Sequence, residues 1–267
     1  MDVQLATLFI LTFAINLIGT LAYAARMAGV RTRRVALAFS LFNALVLISR
    51  TANSFQAPLL AKRVERNVLA GATSGALADF RWLLLAATLA TVAGALLTPT
   101  TQRLFSRGVS ALTRRRSLPK LLLALVSPQG LGAFRASLAV PSRANMKIAA
   151  TRSGAPVGVL LVNGAATAVW TVGVFASLYA AYLAPDLRAT ASNLSAIVNG
   201  LATILLFVLV DPWLAVLTDD VVEGRAGDAQ FRRSVVGLIA SRFAGTVAAQ
   251  FLLVPAAGLV AAVARHM

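Results

Sequence analysis

Two arginines stand inside stretches that are otherwise Leu, Val, Ile, Phe and Ala. Arg50 is followed at three-residue steps by Asn53 and Gln56, and Arg242 at four-residue steps by Thr246 and Gln250. A guanidinium is a permanent cation whose planar fork of donors matches the paired oxygens of a phosphate. Asn and Gln add neutral donors and acceptors of the kind a sugar or an amide needs. In an apolar medium such a charge is costly unless a wet cavity, an anionic ligand or a route to the interface relieves it. No carboxylate lies deep in either stretch, and Asp211 is the nearest candidate. These residues point to the binding of an anion rather than to bond-making. On the same logic Asn16 and Asn43 join Arg50, Asn53, Gln56, Arg242, Gln250 and Asp211 as candidate substrate contacts, with Arg31 and Arg33 at the surface in front of them.

A second constellation, Asp219, Asp220 and Glu223 in "LTDDVVEG", places two carboxylates four and three residues before a third. On a helix these are close enough to share a divalent ion, as in membrane prenyltransferases, although those enzymes use two such clusters. An intramembrane enzyme acting on a polyprenyl phosphate is therefore the alternative reading, and a solvated acidic loop is the plainer one. Other catalytic classes lack their residues. The chain has no Cys, and its one His, His266, is next to the last residue, so thiolate and histidine chemistry and metal sites of those types are not expected. GxxxxGK[ST], G-x-S-x-G and H-E-x-x-H are absent. Neither enzymatic activity nor a cofactor is expected.

The elements that carry these residues are membrane spans. Of 267 residues, 58% are hydrophobic and only 13% charged. Several runs reach the roughly 20 apolar residues that cross a bilayer core. The expected fold is all-α, one polytopic bundle with helices at about 4–25, 35–60, 80–100, 156–183, 189–210 and 234–263. The first run is longer than the apolar core of a signal peptide and its arginines follow it, so it reads as an uncleaved span. At 100° per residue, Asn43, Arg50, Ser54 and Ala57 share a face of the second helix with Asn53 beside them. Thr12, Asn16, Gly19, Thr20 and Tyr23 share one on the first, and Arg242, Gly245, Thr246, Ala249 and Gln250 one on the sixth. Asn163, Thr167 and Thr171 on the fourth, and Asn193 and Asn199 on the fifth, fit interhelical hydrogen bonding equally well.

Net charge is +16, and 22 of the 25 basic residues are Arg. Placing the first, third and fifth loops inside puts seventeen of the 25 there, which predicts both termini outside; the basic "AKRVER" in the second loop runs against this. The third loop, 101–155, has no acidic residue. Within it Leu104, Phe105, Val109 and Leu112 oppose Arg103, Arg107, Ser110 and Arg114, the pattern of an interfacial helix on anionic headgroups. The whole of 101–141 is expected to be interfacial; its second part, 118–141, broken by Pro128, Gly130 and Gly132, alternatively re-enters the bundle or forms a seventh span. Nucleic acid is not an expected partner, since no soluble domain presents the basic residues.

Three stretches carry a resemblance. "TLAYAARMAGVRTRRVALAFSLFNALVLISRTANSFQAPLLAK", "ASNLSAIVNGLATILLFVLVDPWLAVLTDDV" and "SRFAGTVAAQFLLVPAAG" resemble the Amj family, the alternate lipid II flippases of bacteria. The matching positions include Arg26, Arg31, Arg33, Arg50, Asn53, Gln56, Asn199, Asp211 and Gln250. The resemblance implies a multi-pass plasma-membrane protein that moves lipid II, the undecaprenyl-diphosphate-linked peptidoglycan precursor, from inner to outer leaflet without ATP hydrolysis. The polyprenyl tail stays in lipid while the charged head crosses a polar, Arg-containing groove. Anionic lipids would gather at the inner face.

Overall fold

The computed structural model describes residues 2–72, 74–117, 120, 121, 123, 127–139 and 153–267. Six helical stretches in it are long and apolar enough to cross a membrane. Helices α1 (Val3–Thr32), α2 (Val35–Leu69), α3 (Ala76–Arg115), α5 (Val157–Leu183) and α8 (Asp228–His266) are five of them. The remaining one is composite. It comprises a 3₁₀ turn Pro185–Leu187, α6 (Arg188–Leu205), a π turn Leu206–Val210 and α7 (Asp211–Val222). A short helix, α4 (Pro128–Arg135), lies between α3 and α5. The chain is an all-α polytopic bundle, and the described residues contain no strand.

Three boundaries differ from the sequence reading for identifiable reasons. Helix α2 continues past residue 60 to Leu69 because its last turns are held at the N-terminal end of α1, where Arg63 binds Asp2 (2.5 Å) and Asp79 (2.8 Å) and Gln4 donates to Leu59 O (2.9 Å). Arg63 of "AKRVER" is thereby neutralised. Helix α3 does not stop at residue 100 but runs on to Arg115, so 101–115 is no separate helix. Its apolar face, Phe105, Val109 and Leu112, packs with Ala25, Ala28, Ala38 and Leu41 of α1 and α2 rather than with headgroups. The fifth span does not end at 210. Pro212 has no N–H and would clash with the carbonyl four residues back; the helix widens to a π turn, with the Asp211 N–H donating to Leu206 O, and continues.

The turn between α1 and α2 is two residues long. Arg33 takes a left-handed conformation (φ 52°), its N–H donates to Val30 O, and the Arg34 N–H donates to Gly29 O, a Schellman closure. The segment 116–156 leaves from the end of α3 that packs on this turn and returns at the same end, where Gly154 approaches Gln230 and Ser234 at the start of α8. The described residues that flank the segment therefore lie at one end of the bundle, and the described residues contain six spans. Within 118–141, Pro128–Arg135 forms the short helix α4, held beside α3 by the Arg107 donation to Ala133 O and too short to span, while residues 118, 119, 122, 124–126 and 140–152 lie outside the described residues.

The bundle has two three-helix halves. α1 packs mainly on α3 and α2, α5 packs mainly on α8 and α6, and the α3–α8 contact is the chief tie between them. Small residues set the tight contacts, as they do where lipid offers no hydrophobic driving force. A Cβ on Gly94 would lie 2.6 Å from Thr20 Cβ, and one on Gly245 would lie 2.9 Å from Thr167 Cβ. These two glycines allow α3 to close on α1 and α8 to close on α5.

Candidate functional site

Near the middle of the spans, between the two halves, is a cavity of about 60 Å³. Thr12, Ile15 and Asn16 of α1, Asn53 and Gln56 of α2, Trp170, Thr171, Val174 and Phe175 of α5, and Asn199 of α6 line it. Its polar wall is built from the Thr and Asn periodicity of α1. Thr12 donates to Leu8 O (2.8 Å) and Asn16 Nδ2 to Thr12 O (3.0 Å), while Gln56 Nε2 reaches across from α2 to donate to Thr12 Oγ1 (2.6 Å). Two amide oxygens, Asn16 Oδ1 and Asn199 Oδ1, are buried with no hydrogen-bond partner among the described residues. An unpaired buried acceptor costs about 1–3 kcal/mol, so both are poised to accept from a ligand hydroxyl or N–H. Asn53 lines the cavity and is also exposed, which marks the mouth. The volume is well below the ~300–1,000 Å³ of ligand pockets, so this is a closed seam rather than an open path.

Arg242 is beside this seam. It is 8% exposed, has no ion pair among the described residues, and its Nε has no hydrogen-bond acceptor. Its guanidinium carbon stands 5.9 Å from the ring centre of Trp170, the same residue that lines the cavity. It also presses on α1 at Gly19, one turn beyond Asn16, where a Cβ would meet Arg242 Nη2 at 2.6 Å. Glycine is needed there because of that close approach. Tyr23, a further turn along, donates to Asn163 Oδ1 (3.2 Å); Asn163 Nδ2 donates to Leu238 O (3.0 Å) and Ser241 Oγ (2.7 Å). Asn163 thus ties α1, α5 and α8 together and is occupied in doing so.

The other expected site residues lie elsewhere. Arg50 is exposed on α2, its side chain has no partner among the described residues, and it does not line the cavity. The reason is geometric. α2 buries only a narrow stripe that includes Ala52, Gln56 and Leu60, and six residues of helix rotate Arg50 about 120° away from Gln56. Asn43 is exposed as well. Gln250 Nε2 donates to Arg81 O (3.1 Å) and so joins α8 to α3. Asp211 pairs with Arg26 at 2.7 Å, and Arg26 also lies over Phe39 (5.0 Å). Arg31 and Arg33 lie at the end of the bundle, together on a cavity of about 380 Å³ that includes Asp228 and Arg232.

The acidic constellation is not arranged for a metal. Arg225 pairs with Asp220 (2.8 Å) and with Glu223, and the described residues contain no group of three or more carboxylates or histidines positioned to hold an ion. At the opposite end, Asp2 caps α1 through the Leu5 N–H (2.7 Å); the Arg63 hydrogen bond first, and the cap second, hold its carboxyl below the usual value of 3.8. The sequence reading placed Asn199 on a polar face without assigning it to the site. It missed Trp170 altogether, though Trp170 directly precedes Thr171 on the Asn163–Thr167–Thr171 helix.

A family profile described as "Amj: Alternate to MurJ" matches residues 11–264. The Lipid II flippase Amj of Bacillus subtilis (strain 168) is 34% identical over 262 residues, which is 97% of this chain and 96% of that protein. No solved structure matches.

Proposed function

The chain belongs to the Amj family, and we propose that it moves lipid II from the inner to the outer leaflet of the bacterial plasma membrane. The observation that carries this reading is Arg242, a buried cation with no carboxylate partner, next to an amide-lined seam between two helix halves. A cation held in that way suits a ligand that brings its own negative charge. Lipid II has a diphosphate for the guanidinium, and sugar hydroxyls and peptide N–H groups for Asn16 and Asn199. The polyprenyl chain remains in lipid, against the exposed Ile197, Leu201 and Ile204 of α6 and Leu47, Ile48 and Phe55 of α2. The head crosses by parting the halves at the seam, with the α3–α8 contact as the pivot. Asn53 and Gln56 line the path, and Asn16, Asn199 and Arg242 receive the head. Arg50 and Asn43 flank it on the lipid-facing side of α2, while Asp211 and Gln250 hold the helices around it. No residue is required to make or break a bond, so the activity is transport rather than catalysis.

The end that carries the α1–α2 turn, the 116–156 segment and the α7–α8 link is the basic one, and by the positive-inside rule it faces the cytoplasm, with both termini outside. Anionic lipids of the inner leaflet are its expected neighbours. The test is reconstitution into liposomes with fluorescent lipid II, following its exposure on the far leaflet. The parent protein exposes it; Arg242→Ala and the double variant Asn16→Ala, Asn199→Ala insert normally and expose it slowly. Parental rates from both variants would remove the seam from the path.

A further inference from the structure

At the basic end, separate from the seam, α1, α3 and Ala136 just past α4 border an open basin of about 700 Å³. Arg31 comes from the last turn of α1, and Arg103, Arg107 and Arg114 from one face of α3, with Ser106 and Ser110 between them. Among the described residues no carboxylate lines it. The chain has carboxylates and spends them on other arginines: Asp211 on Arg26, Asp2 and Asp79 on Arg63, Asp220 on Arg225. Cations in a final helical turn offset the helix dipole, which accounts for Arg31 and Arg114. It does not account for Arg103 and Arg107, which lie well before the end of α3. A loop-charge rule sets how many cations face one side and asks nothing of their shape. Here they converge from two helices on one concavity. Arg107 is also fixed in place, its Nη1 donating to Ala133 O and to Ser137 Oγ, both at 2.9 Å, which leaves its other N–H groups free to face a ligand.

Depth places this basin at the headgroups. Helix α3 has 40 residues, about 60 Å at 1.5 Å per residue, roughly twice the hydrocarbon core. Its basic final turns therefore project past the acyl chains. The hydroxyls of Ser106 and Ser110 donate to backbone carbonyls of their own helix (2.8 and 3.1 Å), so toward a ligand they act as acceptors for sugar hydroxyls.

We infer that the Arg31–Arg103–Arg107–Arg114 basin is a loading site for the diphosphate of a polyprenyl-linked sugar, occupied at the cytoplasmic leaflet before the head enters the seam. The ligand's identity rests on the transport reading, and the test separates the two. The purified full-length protein in detergent micelles is titrated with undecaprenyl diphosphate, with phosphatidylglycerol and with inorganic pyrophosphate, and binding is read by thermophoresis without any transport step. The parent binds undecaprenyl diphosphate at least tenfold more tightly than the other two. The variant Arg103→Gln, Arg114→Gln, which leaves the Arg107 tie intact, weakens that binding tenfold or more. The variant Arg232→Gln, Arg233→Gln, an equal charge change at two exposed positions of α8 outside the basin, leaves it unchanged. Parental binding by the Arg103, Arg114 variant, an equal loss from the Arg232, Arg233 variant, or equal affinity for phosphatidylglycerol would reduce the basin to diffuse positive charge. Equal affinity for pyrophosphate would make its ligand a soluble diphosphate and overturn the lipid assignment. Loss of lipid II transport in liposomes with binding intact would count against the transport reading alone.

Discussion

Replacing Arg242 by Met separates a cation kept for structure from one kept for a ligand. An arginine at the centre of a membrane helix costs about 2.5–3.5 kcal/mol on insertion scales. The Trp170 ring at 5.9 Å returns about 0.5–1 kcal/mol, since the distance is at the outer limit of a cation–π contact. Met fills most of the side-chain volume, and the unfilled remainder costs about 1 kcal/mol. The variant is therefore expected to be more stable than the parent by about 1–2 kcal/mol, measured by SDS unfolding in mixed micelles. Transport moves the other way. One charge-assisted hydrogen bond to a diphosphate is worth about 1.5–3 kcal/mol, which at 1.4 kcal/mol per decade slows lipid II exposure about 10- to 150-fold. A variant that unfolds more easily than the parent, or flips lipid II at the parental rate, refutes the argument: the guanidinium would then be a packing element with an unrecognised partner.

Gly19→Ala puts a methyl group 2.6 Å from Arg242 Nη2 and moves the guanidinium; transport is expected to fall several-fold in the liposome assay, with stability within about 1 kcal/mol of the parent because Ala favours the helix. Asp211→Ala strands Arg26, whose side chain is 13% exposed; allowing for the half-exposed carboxylate, about 1–2 kcal/mol of stability is lost, and adding Arg26→Met restores it in the same unfolding assay. Asp2 has its carboxyl pKa lowered by folding, so its stabilisation is complete above its ordinary value of 3.8 and fades as pH falls through the lower folded value. The difference in melting temperature between the parent and Asp2→Asn should accordingly be constant from pH 7 to 5 and close at more acidic pH. Asp219→Ala combined with Glu223→Ala should leave transport unchanged with and without a divalent-ion chelator, since these side chains do not form a metal site.

The spans were legible because a membrane helix is announced by composition and length alone, and each of the six expected runs overlaps one of the six long helical stretches. Their ends were not, since ends are set by partners. The last turns of α2 depend on Asp2 and Asp79, and α3 continues past 100 because Phe105 and Val109 find α1 and α2. Neither fact is visible in a local window. In the site, periodicity grouped Thr12 and Asn16 on one face of α1, and both line the seam; Gln56, which donates across to Thr12, lies off the polar face read on α2, about 120° from Arg50. Arg50 misled because a polar stripe on α2 spans more arc than the narrow side that α2 buries. Trp170 was missed because an aromatic in an apolar run gives no signal until Arg242 is placed against it.

The smallness of the central cavity has a consequence for the cell's energy supply. A space of about 60 Å³ holds a few waters, far short of a file across a ~30 Å core. Protons have no continuous relay through it, so many copies of the protein can reside in an energised membrane without discharging the gradient. On the proposed path the seam opens only as a head group enters it, and the cargo itself is the plug.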